Sequence, residues 1–208
     1  MLTGVLLMGA AVALLLHNQK TVQAAGEAAA AVVEPLAEAI MARASQPIAT
    51  VSPTAVSESQ PMPVGAVADA DEAVLSEENG FITILGEEYA GILEIPELNL
   101  ALPIYAECTT WQLETAPCRY TGSAAEENLV IAGHNYDTHF GKLLDLSSGD
   151  TVYFTDAFGR VFAYEVALME TLAPYAVEEM TAGEYPLTLF TCTYGGQNRV
   201  AIRCRTIL

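Results

Sequence analysis

The chain has 208 residues, enough for one domain plus extensions, and carries 26 acidic against 8 basic side chains for a net charge of −18. That balance leaves no basic surface to neutralise a phosphate backbone, which speaks against nucleic-acid binding. Four cysteines, Cys108, Cys118, Cys192 and Cys204, are too few for a disulfide-built scaffold, and with no Cys-x-x-Cys pair their spacing does not make a structural zinc site.

Leu2 to Leu16 is an unbroken apolar run at the N-terminus. It is short for a full membrane span, which needs roughly 20 residues, and long enough for a signal-peptide core or a marginal anchor. No Lys or Arg precedes it, so orientation cannot be read from flanking charge. The reading favoured here is a membrane anchor over residues 1–20. Ala24 to Ser45 carries Val32, Val33, Leu36, Ile40 and Met41 at helical spacing, which predicts a helix kinked or begun afresh at Pro35. From Gln46 to Asn79, prolines among small residues give way to acids, the pattern of a solvated linker. Residues 21–80 are therefore expected to form a helical stalk and linker.

From Gly80 the texture becomes short strands and turns. Strands are predicted at Phe81–Leu85, Tyr89–Ile95, Leu98–Tyr105 and Asn128–Ala132, with one helical turn at Trp111–Glu114. Thr151–Thr155 and Val161–Leu168 flank Asp156–Gly159 as a hairpin, and Leu187–Cys192 and Arg199–Thr206 close the chain. Seven or eight short strands over 81–208 predict a mostly β domain, a sandwich or a closed barrel, with enough chain to bury one core.

The chemistry concentrates at the last two strands. Thr188-Leu189-Phe190-Thr191-Cys192 ends on a cysteine, and Arg199 follows across a Gly195-Gly196 turn. A guanidinium near a thiol favours the reactive thiolate and offers fixed donors for a developing oxyanion. Strand parity puts Arg199, Arg203 and Arg205 on one face, so Arg203 competes with Arg199 for that role. Gly133-His134-Asn135 leaves the end of a buried strand, a position where a rigid frame presents reactive groups. Cys192 with His134 is the minimum for nucleophilic acyl transfer. His139 reads as a solvated loop residue. Thr191 and Asn135, beside the cysteine and the histidine, are the candidate substrate-binding positions. Cys118 and Cys204 read as small buried hydrophobes, although a bridge among Cys108, Cys118 and Cys204 stays open if the domain is extracellular. Acid pairs such as Glu126-Glu127 and Glu178-Glu179 read as solvated faces, and no metal or cofactor is expected.

Thr188-Leu189-Phe190-Thr191-Cys192 resembles the Thr-Leu-x-Thr-Cys signature of the sortases, the cysteine transpeptidases of Gram-positive cell surfaces. Gly133-His134 at a strand end, Arg199 after the cysteine strand, and Phe140 through Leu143 to Gly149-Asp150-Thr151-Val152 are similar to the same family in order and spacing. The resemblance covers Tyr89 to Leu208. It implies a closed sortase-type β-barrel behind an N-terminal anchor, with the catalytic domain outside the cell. It implies that Cys192 attacks the Thr–Gly carbonyl of a Leu-Pro-x-Thr-Gly-like sorting signal, that His134 protonates the leaving amine, and that Arg199 steadies the oxyanion. The acceptor would be an amine of a peptidoglycan precursor or of a pilin. Gly-His-Asn followed by Phe-Gly-x-Leu is reminiscent of class B, whereas the short Cys192–Arg199 loop and the lack of a long helical insertion before Leu187 look less like that class. Two other readings of the same residues are a secreted cysteine hydrolase and a non-catalytic wall-binding domain.

Overall fold

The computed structural model describes residues 2–45 and 80–207, and the Pro- and acid-rich linker expected over 46–79 lies outside them. The elements are α1 (Leu2–Ala44), β1 (Ile82–Ile84), β2 (Glu87–Ile95), β3 (Leu100–Tyr105), α2 (Thr110–Thr115) and β4 (Cys118–Thr121). They continue with β5 (Leu129–Ala132), β6 (Thr151–Asp156), β7 (Val161–Leu172), α3 (Val177–Met180), β8 (Leu187–Cys192) and β9 (Arg199–Thr206). The expected strands are all present. β4 was not anticipated, and β7 runs four residues past the expected Leu168 end.

The strand order is β1-β2-β3-β4-β5-β8-β9-β7-β6, and a further pairing of β2 with β6 closes β2 to β9 into an eight-stranded barrel. Closure depends on β2 serving two partners on one edge, β1 along its first residues and β6 along Gly91–Glu94. The switch falls at Gly91. A Cβ there would sit 2.1 Å from the Thr155 carbonyl oxygen, so only glycine lets the two strands approach. The seam between β3 and β4 is the narrowest, with Tyr105 and Cys118 as its one register pair. A Cys108–Cys118 disulfide and a hydrogen bond from Arg119 Nε to the Ala106 carbonyl (3.0 Å) reinforce it. Cys118 is therefore buried but bridged, which corrects its reading as a plain hydrophobe, whereas Cys204 is a buried free thiol as expected. Alternating residues fill the barrel: Leu93, Ile104, Ile131, Val152, Tyr164, Leu187, Leu189 and Ile202 are all essentially inaccessible.

α1 is one helix of 43 residues that runs through Pro35 without a restart. Pro35 lies on its solvent side, and the helix is held instead by its buried stripe of Ala25, Ala29, Leu36 and Ile40. That stripe packs on β1, β2, β3 and α2, so the second half of α1 is part of the domain. The apolar first half is exposed at Leu7, Met8, Val12 and Leu14 to Leu16. Among the described residues no helix is long and apolar enough to cross a membrane.

Candidate active site

β5, β8 and β9 are consecutive in the sheet and bring His134, Cys192 and Arg199 to one end of the barrel. β5 and β8 run parallel with Ala132 opposite Phe190, and Gly133 N–H donates to the Phe190 carbonyl at 3.0 Å. That bond carries the pairing one residue past β5, so His134 leaves the sheet at the end of β8 that bears Cys192. On the other side, Cys192 and Arg199 are direct antiparallel partners, so both side chains leave the same face. Leu187, Leu189 and Thr191 alternate with them and face the barrel interior, where the two leucines join the core. The thiol of Cys192 is unbridged and part-exposed.

The loop after β5 has an exacting start. A Cβ at Gly133 would lie 2.5 Å from the Phe140 ring, so a glycine lets the chain pass over that buried phenylalanine before His134. The loop then turns back: Phe140 N–H donates to the His134 carbonyl (3.0 Å), and His139 and Gly141 N–H both donate to Tyr136 (2.9 and 2.8 Å). Burial holds the His134 imidazole below its usual range, and the Glu114 carboxylate opposes this from a distance. That burial favours the neutral imidazole.

The structure corrects the reading of His139. It is wholly buried rather than solvated, and neither ring nitrogen has a hydrogen-bond partner among the described residues. Burial, with repulsion from His134 second, pushes it down to about 4, while the nearby main chain of Thr115 and Ala25 works the other way. The inward packing of Phe140 and Leu143 is legible from the sequence, but the cover that α1 gives this loop from outside is not.

Arg203, the competitor, is spoken for. It is buried, pairs with Glu170 at 2.7 Å, and donates to Thr188 Oγ1 (3.0 Å) and to the carbonyls of Met180 (3.0 Å) and Glu179 (2.7 Å). Arg199 remains part-exposed, and its guanidinium folds back onto the turn, donating to Gly196 and Asn198 carbonyls at 3.2 and 3.1 Å. Neither contact is with a carboxylate, so its charge is not neutralised there. Asn135 is part-exposed beside His134, whereas the Thr191 hydroxyl is buried on the interior side of β8, so a ligand on the outer face meets Thr191 through its main chain.

A cleft of about 190 Å³ runs from Arg199 along the outer face, lined by Tyr120, Pro174, Val177, Met180 and Phe190. Its floor is strand and its far wall is the β7–β8 connection with α3. Its lining is mostly apolar, with the Arg199 guanidinium as its charged member. The four-residue α3 agrees with the expected lack of a long insertion before Leu187.

A sortase-domain family model matches residues 93–207, more than half of the chain. No curated protein matches the sequence. Among solved structures, sortase A from Corynebacterium diphtheriae is 25% identical with a TM-score of 0.50, over 59% of this chain and 62% of that one. Sortase C from Clostridium perfringens SM101 is 26% identical with a TM-score of 0.50, over 58% and 70% of the two chains. A Clostridium perfringens sortase D5 transpeptidase, 22% identical with a TM-score of 0.53 over 58% and 79%, shares the fold. The chain thus spans less than two thirds of the Corynebacterium protein, and the designations A, C and D of these neighbours cover three subclasses.

Proposed function

The chain belongs to the sortase family, and on that premise we propose that it is a cysteine transpeptidase that cleaves a Leu-Pro-x-Thr-Gly-like sorting signal. The observation that supports the proposal is that β5, β8 and β9 are adjacent, with Cys192 and Arg199 as direct partners and His134 two residues past the end of β5, beside a mostly apolar cleft that Arg199 lines. The apolar residues of the signal lie along Phe190, Val177 and Met180, with the Thr–Gly carbonyl at Cys192. His134 accepts the thiol proton as sulfur attacks that carbonyl, giving a tetrahedral oxyanion. Arg199 leaves the turn carbonyls and donates to this oxyanion or to the signal's main chain. Collapse of the intermediate breaks the C–N bond, and His134 passes its proton to the departing glycine amine. An incoming amine, from a peptidoglycan precursor or a pilin, then attacks the thioester and releases Cys192.

The same reading places the domain outside the cell, held at the membrane by the apolar start of α1. The Cys108–Cys118 bridge supports an oxidising compartment. Fractionation of cells producing the tagged full chain tests this, and recovery in the cytosol contradicts it.

The test of activity is mass spectrometry of the full chain mixed with a Leu-Pro-x-Thr-Gly peptide, with and without an amine acceptor. An acyl adduct on Cys192 and a ligated product are expected, and Cys192→Ala abolishes both. Acid product alone, with acceptor in excess, makes the protein a hydrolase. Full turnover by Cys192→Ala removes the proposal.

A further inference from the structure

A histidine that moves a proton to and from sulfur is useful only if its ring is held in one orientation, and in acyl-transfer sites a third group does the holding. The groups that touch or act on His134 are Glu114 from α2 and Tyr136 and His139 from its own loop. Glu114 is exposed and acts only at a distance, so it does not fix the ring. Tyr136 does touch it. The two rings stack with centroids 4.9 Å apart and planes 25° apart. Tyr136 is also in contact with His139, the ring centroids 5.5 Å apart and the planes tilted by 39°.

His139 is a firm backing because it is entirely enclosed. α1 closes the loop from outside. Thr138 Oγ1 donates to the Val22 carbonyl at 3.2 Å, and Gly26 of α1 comes so near Thr138 that a Cβ there would sit 2.6 Å from its methyl group. The order of contact is therefore α1, buried histidine, tyrosine ring, His134 ring.

We propose that Tyr136 is a positioning residue for His134, its ring taking the place that an orienting carboxylate or amide holds in other nucleophile–histidine sites. The proposal rests on the reading of His134 as the acid–base of the site. A stacked ring restrains rotation of the imidazole about its side-chain torsions without accepting a hydrogen bond, so both ring nitrogens stay available to the thiol and the leaving amine. It also presents a π-face to the imidazolium that forms transiently.

The experiment compares Tyr136→Phe and Tyr136→Leu with the wild-type full chain, reading kcat and KM for a sorting peptide and the ring-proton chemical shifts of His134. Tyr136→Leu is expected to lower kcat about two- to tenfold, the equivalent of one aromatic pair, with KM within about twofold. It also loses the upfield ring-current displacement of the His134 signals. Tyr136→Phe keeps both, because the ring and not the hydroxyl is responsible. If Tyr136→Leu does not fold, Tyr136→Met, of similar length without a ring, reads the same quantities. Wild-type kcat in the ringless variant overturns the proposal, as does a Tyr136→Phe defect equal to it. His134→Ala separates the two levels. If that variant is inactive while the ringless one is unimpaired, the positioning role alone fails; if His134→Ala is itself fully active, the reading of the site fails.

Discussion

His139 has no solvent access and no hydrogen-bond partner for either nitrogen among the described residues, so its neutral form is the one the fold tolerates. Its titration is pushed from 6.5 to about 4. Above pH 6.5 the folded and unfolded chains both hold it neutral, and its full share of stability is present. As pH falls from 6.5 towards 4, the unfolded chain takes up a proton that the folded chain refuses. Stability then falls by an amount on the order of 3 kcal/mol and levels off below the folded value. His139→Leu removes this dependence and breaks no hydrogen bond. It is expected to match wild type within about 1 kcal/mol at pH 7, because no partner is orphaned. It should be the more stable protein at pH 4.5. Urea unfolding of the pair at pH 7, 5.5 and 4.5 measures this, and parallel pH slopes for the two proteins contradict it.

The elements differ in how much of their role could be read from sequence. β8 and β9 were found to the residue because a run of apolar and β-branched side chains is cut sharply by Gly195-Gly196. Cys192 and Arg199 stand at those strand ends, whereas His134 is read from the glycine that follows β5. β4 was missed because Cys118-Arg119-Tyr120-Thr121 has one buried residue and no alternating pattern; a partner strand and the disulfide define it. The Tyr136–His139 stack was missed because periodicity says nothing of a loop whose residues are buried by a helix more than a hundred positions away. α3 was missed for a similar reason. Its sequence, Val-Glu-Glu-Met, holds no helix of its own, and it is pinned from the barrel by Arg203 through Met180 and Glu179 carbonyls. The far wall of the cleft is therefore held by the Arg203 guanidinium together with Met180, which packs on Val130 and Ala201. Arg203→Met, which leaves Glu170 unpaired and two carbonyls unsatisfied, is expected to cost about 2–4 kcal/mol. It should raise KM for the peptide severalfold with a smaller effect on kcat, since Cys192 and His134 lie beyond it. Denaturant melts and steady-state kinetics check both, and an unchanged KM in the folded variant removes the wall from substrate binding.

At the scale of the molecule, the open question in the sequence was what the stripe on α1 covers. Apolar residues three and four apart announce a buried face but not its partner, which could be lipid, another helix or the chain's own barrel. Here the partner is the barrel: Leu36 is fully enclosed, and Arg43 of α1 donates to the Phe81 carbonyl at 3.1 Å while lying over the Phe158 ring. α1 should then unfold with the domain and not before it. Two probes separate these cases. Far-UV circular dichroism reports chiefly on the 43-residue helix, whereas the single tryptophan, Trp111, sits on α2 where that helix packs. Coincident urea transitions by both probes are expected for one cooperative unit. Leu36→Ala leaves a cavity between helix and barrel and should lower both transitions together, at a cost of about 2–5 kcal/mol. If the helix were an independent stalk, the substitution would shift the circular dichroism signal alone and leave the Trp111 midpoint in place. That outcome would also detach the helix from His139, and with it the backing of the ring that rests on His134.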